Sequence, residues 1–280
     1  MHIRKQLIPR NLSDIFSIIF LLIMIPLVYY FEIFVVLPQL HDCCFSVWYI
    51  LHFVFGTFTL LNVVSNYVAT IVIDTSVKNN IVSSSHPDDE LCSVCRITVP
   101  PRSWHCRRCD DCILKQDHHC IFVGTCIGHF NHRYFIWLLI FMFIMTVHGS
   151  YLNVFYVKEN FHCSPFLFMK VLFPVLFLIF GFDERVNHSA LILIVTNFVG
   201  MIVTGLLLWY HCKLILQGTT CHENRRKDFS YHASPKENIK RVLGERWHLT
   251  WISAFISSKL PERGDLWKLN WFDVSFGSKQ

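Results

Sequence analysis

The sequence predicts an α-helical, polytopic membrane protein with four transmembrane helices and a cysteine-rich module between the second and third. Of its 280 residues, 53% are hydrophobic and only 16% are charged, which is too apolar for an ordinary soluble domain of this size. Four apolar blocks contain no Lys or Arg, and each reaches the ~20 residues that cross a bilayer. They cover residues 15–37, 47–73, 134–157 and 190–212.

The first apolar block follows Arg4, Lys5 and Arg10, as a secretory signal would. It is longer than the ~7 to 15 residues of a signal-peptide core and lacks an A-x-A cleavage pattern, so we expect a retained anchor. Glu32, near the far end of this block, is expected to reach the membrane interface rather than the interior.

A fifth apolar run, residues 166–182, is interrupted by Lys170 and Pro174 and is short for a span. With four spans, 22 of the 25 Lys and Arg residues lie on one side of the membrane, whereas a fifth span would enclose Lys170 and leave 11 on one side and 13 on the other. The positive-inside rule therefore favours four spans, with both termini and the module in the cytosol and residues 166–182 as a luminal interfacial or re-entrant segment. We expect an endomembrane location, in the endoplasmic reticulum or Golgi.

The chain then divides into four parts. They are an N-terminal lead with helices one and two (1–73), the cytosolic module (74–133), helices three and four with a luminal loop (134–212) and a cytosolic C-terminal segment (213–280). Basic residues of the last part suit anionic lipid headgroups or an anionic cofactor. Basic charge alone does not indicate nucleic-acid binding, and no other feature of the sequence supports it. Four aromatic residues predict that this part folds back on the membrane or the module: Trp247, Trp251, Phe255 and Trp267.

The cysteine spacing in the module predicts two structural zinc sites. Each closed site takes four Cys or His ligands, and a C-x2-C pair presents both thiolates from one tight turn. Seven cysteines between Cys92 and Cys126, with His105, His118 and His119, give ten candidate ligands, whereas two sites use eight. If both sites are Cys3His, one cysteine and one histidine remain, and the natural remainder is His118 with Cys120. A cytosolic module keeps such thiols reduced, so we expect no disulfide framework there.

The remaining pair suits nucleophilic catalysis. In an extended segment side chains alternate, so His118 and Cys120 would point one way and His119 the other. A neutral imidazole beside a thiol raises the population of the thiolate, which is the nucleophile. Asp117 can orient this imidazole, but strict alternation would place it on the other face, so that role requires a turn at residue 117.

One continuous set of spacings resembles the DHHC protein S-acyltransferases, also called palmitoyltransferases. It runs Cys92-x2-Cys95, then His105-Cys106-x2-Cys109-x2-Cys112-x4-Asp117-His118-His119-Cys120-x5-Cys126, and continues in Gly128, Asn131 and Phe135. The four-span layout is similar to that family too. The resemblance implies one zinc on Cys92, Cys95, His105 and Cys112, and a second on Cys106, Cys109, His119 and Cys126. It also implies that Cys120 is the acyl-accepting nucleophile, His118 its base and Asp117 the orienting carboxylate.

The resemblance further implies the reaction. A long-chain acyl group passes from acyl-CoA, such as palmitoyl-CoA, to Cys120 and then to a cysteine of a membrane-associated protein. The acyl chain would lie in an apolar cavity between the helices, and basic residues would meet the anionic CoA. The alternative is a catalytically weak, membrane-tethered zinc-binding scaffold or adaptor. A RING ubiquitin ligase also uses eight Cys and His ligands, but its longer intervals do not match the compact spacing here.

Three positions depart from the family pattern. Ile121-Phe122 stands where the family usually has Pro-Trp, and Gly124-Thr125 replaces an Asn-Asn-like pair. Behind the fourth helix, the stretch from Thr219 to Glu223 has one residue more than the family's Thr-Thr-x-Glu motif. Phe122 and Gly124 are the sequence features that motivate the scaffold alternative.

Overall fold

The structure is a computed structural model that describes residues 2–41, 46–80, 89–161 and 188–264, with Met169, Phe173, Leu176, Ile179 and Trp267 as single positions. Among the described residues, four helical segments are long and apolar enough to cross a membrane: Leu12–Leu40, Val47–Val72, His132–Asn160 and His188–Leu216. They contain 29, 26, 29 and 29 residues, more than the ~20 that a bilayer requires. The predicted fold class is confirmed. Apart from those single positions, residues 166–182 lie outside the described residues.

Along the chain, a block of helices is followed by a block of strands and then by a second block of helices. The helices are α1 (Leu12–Phe31), a π-helical turn (Glu32–Val36), α2 (Leu37–Leu40), α3 (Val47–Val72), α4 (Val77–Asn80), α5 (His132–Asn160), α6 (His188–Leu216), α7 (Cys221–Arg226) and α8 (Pro235–Leu243). Between α4 and α5 lie six short strands: β1 (Glu90–Cys92), β2 (Ile97–Val99), β3 (Trp104–Cys106), β4 (Asp111–Ile113), β5 (His118–Cys120) and β6 (Thr125–Ile127).

Two compact units are built from these elements. The first comprises Met1–Leu21, Val64–Leu138 and Trp209–Gln280, and the second comprises Leu22–Val63 and Leu139–Leu208. Within the part of the chain that the structure describes, the first unit contains every strand and the helices α4, α7 and α8. It therefore contains all the residues to which the sequence assigns chemistry.

The second unit buries a carboxyl group inside its helices. Glu32 is only 6% exposed, and its Oε1 accepts a hydrogen bond of 2.6 Å from Nδ2 of Asn153 on α5. Glu32 is therefore buried within the protein, where a polar partner on another helix compensates its burial; that its side chain reaches the membrane interface stays a prediction. Asn197 on α6 similarly donates to Ser150 Oγ at 3.0 Å, so polar side chains bond between helices within this unit.

Three antiparallel hairpins carry the cysteine-rich part of the first unit: β1 with β2, β3 with β4, and β5 with β6. Each strand has three residues, too few to form a stable sheet alone. Asn131 anchors the last hairpin. Its Nδ2 donates to the carbonyls of Cys126, at 3.0 Å, and of Thr70 on α3, at 3.1 Å, while its Oδ1 accepts from Gly128 N.

The C-terminal segment packs against the module through one of the four aromatic residues expected to fold back. Trp267 is 8% exposed, and its ring lies 5.2 Å from the ring of His129 and 5.0 Å from the guanidinium of Arg102. Trp247, Trp251 and Phe255 keep 37%, 46% and 88% of their surface exposed. Of these four aromatic residues, Trp267 is the one that is buried against the module.

Candidate functional site

The first two hairpins bring one set of four ligands together. Cys92 ends β1, and the following turn closes with a 2.8 Å hydrogen bond from Arg96 N to Cys92 O. Arg96 has φ +55°, a left-handed conformation that curls the chain back so that Cys92 and Cys95 share one side. His105 and Cys112 face each other across β3 and β4. The ligand atoms of Cys92, Cys95, His105 and Cys112 all lie within 4.8 Å of one another.

A second set forms by the same construction one hairpin later. Cys106 ends β3, and Asp110, with φ +55°, closes the turn by a 2.8 Å bond to Cys106 O. His119 and Cys126 face each other across β5 and β6. Nδ1 of His119 lies 3.3 Å from Sγ of Cys109 and 3.7 Å from Sγ of both Cys106 and Cys126. These four residues form the second compact group of ligand atoms.

The spacing of these atoms fits tetrahedral zinc. Sulfur ~2.3 Å and nitrogen ~2.0 Å from one ion lie about 3.5–3.8 Å from each other. The two sets show 3.2 Å between Cys95 Sγ and His105 Nδ1 and 3.6 Å between Cys109 Sγ and Cys126 Sγ. All seven cysteines of the module are free thiols, not disulfides. Both sets could therefore hold a zinc ion with small adjustments.

An acidic residue from the first helix supports the second set. Oδ2 of Asp14 lies 3.0 Å from Nε2 of His119, and its Oδ1 lies 2.9 Å from Nη1 of Arg108. A carboxylate on the outer nitrogen of a histidine fixes which ring nitrogen faces the metal and raises its basicity. Asp14 is 105 residues from His119 in sequence, and no local pattern connects the two.

The β5 strand separates two kinds of chemistry. Its three residues are extended, so His119 points to the second ligand set while His118 and Cys120 point to the opposite face. Cys120 belongs to neither set, and its thiol lies close enough to the imidazole of His118 to help raise the pKa of that ring. The structure therefore brings one spare thiol beside one spare imidazole.

Asp117 completes this arrangement without a turn of its own. The chain turns at Leu114 and Lys115 instead, and Asp117 lies in an irregular segment just before β5. Its side chain reaches along the backbone, and Oδ2 accepts a 2.6 Å hydrogen bond from Nδ1 of His118. The turn expected at residue 117 is not needed, because Asp117 precedes the regular alternation of the strand.

Two residues that the sequence did not single out surround Asp117. The backbone N–H of Cys221, the first residue of α7, donates to Asp117 Oδ1 at 2.9 Å. His211, on α6, places Nδ1 3.7 Å from Asp117 Oδ2. The Asp117 side chain is fully buried among these groups and that of His211 is 4% exposed. Each oxygen of the Asp117 carboxylate therefore accepts a hydrogen bond, Oδ1 from Cys221 and Oδ2 from His118.

Burial and pairing act in opposite directions on the acid and base. Burial alone would raise the pKa of Asp117, but the hydrogen bond from His118 and the neighbouring imidazoles outweigh it and hold the pKa well below its usual range. Burial alone would lower the pKa of His118, but Asp117 and the thiols of Cys120 and Cys221 raise it well above its usual range. The imidazolium form of His118 is thus stabilised next to a thiol, an environment that favours a thiolate.

A buried ion pair fixes α7 in place. Glu223 accepts two hydrogen bonds from the guanidinium of Arg102, at 2.6 and 2.7 Å, and both side chains are 1% exposed. Glu223 also forms a capping box with Thr220, the residue before α7. The irregular motif therefore works as Thr220-x-x-Glu223, a pattern visible in the sequence that could have indicated the helix start next to Asp117.

The departure at Gly124 also has a structural reason. Gly124 has φ +61°, and a Cβ there would lie 2.3 Å from Pro9 Cγ and 2.8 Å from Ile18 Cδ1. Only glycine fits this close approach of the N-terminal lead. Before it, the Phe122 carbonyl accepts a 2.9 Å hydrogen bond from Tyr67, so the turn after Cys120 is anchored to α3.

Comparison with known proteins gives a consistent result. The family model described as DHHC palmitoyltransferase matches residues 85–228. The chain is 32% identical over 213 residues to the human (Homo sapiens) protein "Probable palmitoyltransferase ZDHHC24", covering 75% of each chain. It is 30% identical over 213 residues to the Rattus norvegicus protein of the same name, again 75% of each. The Arabidopsis thaliana "Probable protein S-acyltransferase 6" is 29% identical over 162 residues, 55% of this chain and 36% of the relative.

Proposed function

This chain belongs to the DHHC palmitoyltransferase family, and from this premise we propose that it is a protein-cysteine S-palmitoyltransferase in which Cys120 carries the acyl group. The family makes it an acyltransferase; the donor, acyl-enzyme and residue roles are the proposal. One observation supports it above the others. A strand that places His119 in a metal-ligand set leaves Cys120 outside both sets, beside an imidazole that is hydrogen-bonded to Asp117 at 2.6 Å.

In the first half-reaction, Cys120 gives its thiol proton to His118, and the thiolate attacks the carbonyl carbon of a long-chain acyl-CoA thioester. The bond between that carbon and the CoA sulfur breaks, and the departing CoA thiolate takes the proton from the imidazolium. Cys120 now carries the acyl group as a thioester. Positioning and thiolate supply are the catalytic task, because one thioester replaces another.

In the second half-reaction, the thiol of an acceptor protein gives its proton to His118 and attacks the acyl carbon on Cys120. The Cys120 thiolate leaves and recovers the proton. Asp117 holds one orientation of His118 through both halves and stabilises each imidazolium, much as the third member of a catalytic triad does. Acceptors are membrane-associated proteins with cytosolic cysteines.

The two ligand sets are proposed to hold structural Zn²⁺: Cys92, Cys95, His105 and Cys112 in one, and Cys106, Cys109, His119 and Cys126 in the other. Zinc would supply folding energy, since six strands of three residues have little other support. Holding His119 and Cys126 fixes the β5–β6 hairpin, and with it the direction of Cys120.

We further propose that CoA lies along α7. The helix begins at Cys221, whose N–H contacts Asp117, and ends in Arg225 and Arg226, which are exposed. At ~1.5 Å per residue, the Cα atoms of these two arginines lie about 6–8 Å along the helix axis from that of Cys221. CoA phosphates would meet them there. We also propose that the module and both termini face the cytosol, because most Lys and Arg residues lie on their side of the membrane. The membrane would be an endomembrane, such as that of the endoplasmic reticulum or Golgi.

Labelling with a clickable palmitoyl-CoA analogue tests the function. Purified protein that holds its two structural zinc ions, in buffer too low in free zinc to add more, should acquire a hydroxylamine-sensitive label. Cys120→Ser should not, and Cys212→Ser should label like wild type, because Cys212 is exposed on α6 outside both ligand sets. The rival function is a zinc-binding scaffold without transfer activity, motivated by Phe122 and Gly124. Absence of label in folded wild-type protein, or equal label in Cys120→Ser, would favour the scaffold.

A further inference from the structure

A third group of metal-ligand atoms surrounds the acid–base pair. It consists of Asp117, His118, His211 and Cys221, whose ligand atoms all lie within 4.8 Å of one another. None of these residues belongs to the two Cys3His sets. They come from three separate parts of the first unit: the segment at β5, the end of α6 and the first residue of α7.

One nitrogen in this group has no partner. Nδ1 of His211 is buried and makes no hydrogen bond, although the ring is only 4% exposed and Nδ1 lies 3.7 Å from Asp117 Oδ2. A buried ring nitrogen without a hydrogen-bond partner destabilises the fold. This nitrogen faces a carboxylate, a thiol and a second imidazole, which is the position of a metal ligand. Cys221 is buried beside it and free.

The chemistry of the four groups suits zinc. Thiolate, imidazole and carboxylate are its protein ligands, and four of them complete a tetrahedron. One carboxylate and one thiolate also neutralise the two positive charges of the ion, which matters in a buried site. The edges of such a tetrahedron measure about 3.2–3.6 Å, so the four atoms must close up by roughly 1 Å.

We propose that Asp117, His118, His211 and Cys221 form a third zinc site, and that zinc there arrests the acyltransferase by occupying its general base. Binding of the metal is independent of the proposed function; the arrest rests on it. The proton balance is simple. The Cys221 thiol and any imidazolium release their protons to solvent as Zn²⁺ binds.

The arrest follows whichever nitrogen of His118 binds the ion. If Nε2 binds, its lone pair is no longer available to the Cys120 proton. If Nδ1 binds, the hydrogen bond to Asp117 is lost and the remaining ring proton sits on Nε2, which then has no lone pair either. In both cases Cys120 stays a thiol and the acyl-enzyme does not form.

Metal counting tests the site without relying on activity. Wild type, Cys221→Ser and the controls Cys212→Ser and Cys120→Ser are equilibrated in buffered Zn²⁺, and bound zinc is measured by mass spectrometry of the metal. We expect a third equivalent in wild type, Cys212→Ser and Cys120→Ser, and two in Cys221→Ser, which keeps the backbone N–H to Asp117. Two equivalents in wild type, three in Cys221→Ser, or loss of the third in Cys120→Ser would overturn the proposal.

His211→Gln is the second variant, used if Cys221→Ser loses the two structural ions and so fails the folding check. It removes the unpartnered nitrogen and should likewise retain two equivalents. Three equivalents in this variant would also overturn the site.

Inhibition tests the arrest separately. Acyl-enzyme formation is measured against increasing free Zn²⁺, each protein being compared with its own rate at the lowest zinc. Loss of one of four ligands should raise the zinc concentration for half-inhibition by about tenfold or more in Cys221→Ser. Equal sensitivity would refute the arrest. No acyl-enzyme at any zinc concentration would instead refute the proposed function and leave the metal count to decide the site.

Discussion

The backbone N–H of Cys221 donates a 2.9 Å hydrogen bond to Oδ1 of Asp117, and this bond links the helix after the last span to the residue that orients His118. The other oxygen accepts from His118 at 2.6 Å. Asp117 is therefore held by its neighbour in sequence and by a residue 104 positions further along the chain. Residues that hold α7 in place should affect the chemistry at Cys120 even though they do not touch it.

Asp117→Asn should slow acyl-enzyme formation by about a hundredfold or more, since it removes the charge that holds the imidazolium of His118. The rate is measured by quenched incubation with palmitoyl-CoA. The two structural zinc ions should stay bound, which separates loss of chemistry from loss of fold. A rate close to wild type would mean that Asp117 does not orient the base.

Cys109→Ala should lose zinc and lower the unfolding temperature, whereas Cys120→Ser should keep both structural ions. The reason is that Cys109 Sγ lies 3.3 Å from His119 Nδ1 within a ligand set, and Cys120 lies outside both sets. Metal content and thermal unfolding in detergent are measured on the same samples, under zinc buffering too weak to fill the third site. Loss of a structural ion from Cys120→Ser would show that the thiol is a ligand.

Arg102→Met should destabilise the protein by about 3–5 kcal/mol, because it leaves Glu223 charged, buried and unpaired. The surface pair of Lys240 and Glu245, also 2.6 Å apart but 31% and 50% exposed, provides the control. Lys240→Met should cost less than about 1 kcal/mol. Both variants are compared by thermal unfolding and by acyl-enzyme rate.

A double variant, Arg102→Met with Glu223→Gln, should recover part of the loss in stability, because no buried charge remains. If Arg102→Met and Lys240→Met proved equally mild, the buried pair would not be what fixes α7.

Lys115→Met should change how stability depends on pH. Burial, with repulsion from the Arg102 guanidinium, lowers the pKa of Lys115 from 10.5 to about 7. Between those two values the unfolded chain binds a proton that the folded chain does not, so this group adds stability as pH rises through that window. The methionine side chain in Lys115→Met binds no proton, so this pH dependence is lost. The free energy of unfolding of Lys115→Met minus that of wild type should therefore be larger at pH 7 than at pH 9.

Thermal unfolding of Lys115→Met and wild type at both pH values measures the effect, with Lys259→Met, an exposed position, as the control. A stability difference that stayed constant with pH would show that the Lys115 amine is not shifted by its burial.

The sequence predicts most of what is local. Span lengths follow from uninterrupted apolar blocks, and C-x2-C pairs predict tight turns such as the one that Arg96 closes. The alternation in β5 follows from three consecutive extended residues, His118–Cys120. Each of these depends on neighbours within a few positions, where backbone geometry decides the outcome.

What the sequence does not reveal depends on contacts between distant segments. Asp14 meets His119 across 105 positions, and His211, near the end of α6, meets Asp117, which precedes β5. Glu32 is buried because Asn153 bonds to it, which hydropathy cannot show. Periodicity and composition describe each segment by itself, so they identify the nucleophile's neighbours in sequence and miss its neighbours in space.

The measurement that tests the central claim most directly is identification of the acylated residue. Purified protein is incubated with palmitoyl-CoA without an acceptor, digested under conditions that preserve thioesters, and mapped by mass spectrometry. The account predicts hydroxylamine-labile palmitate on Cys120, with Cys221 unmodified. Palmitate on Cys221 or on a zinc ligand, with Cys120 free, would contradict it.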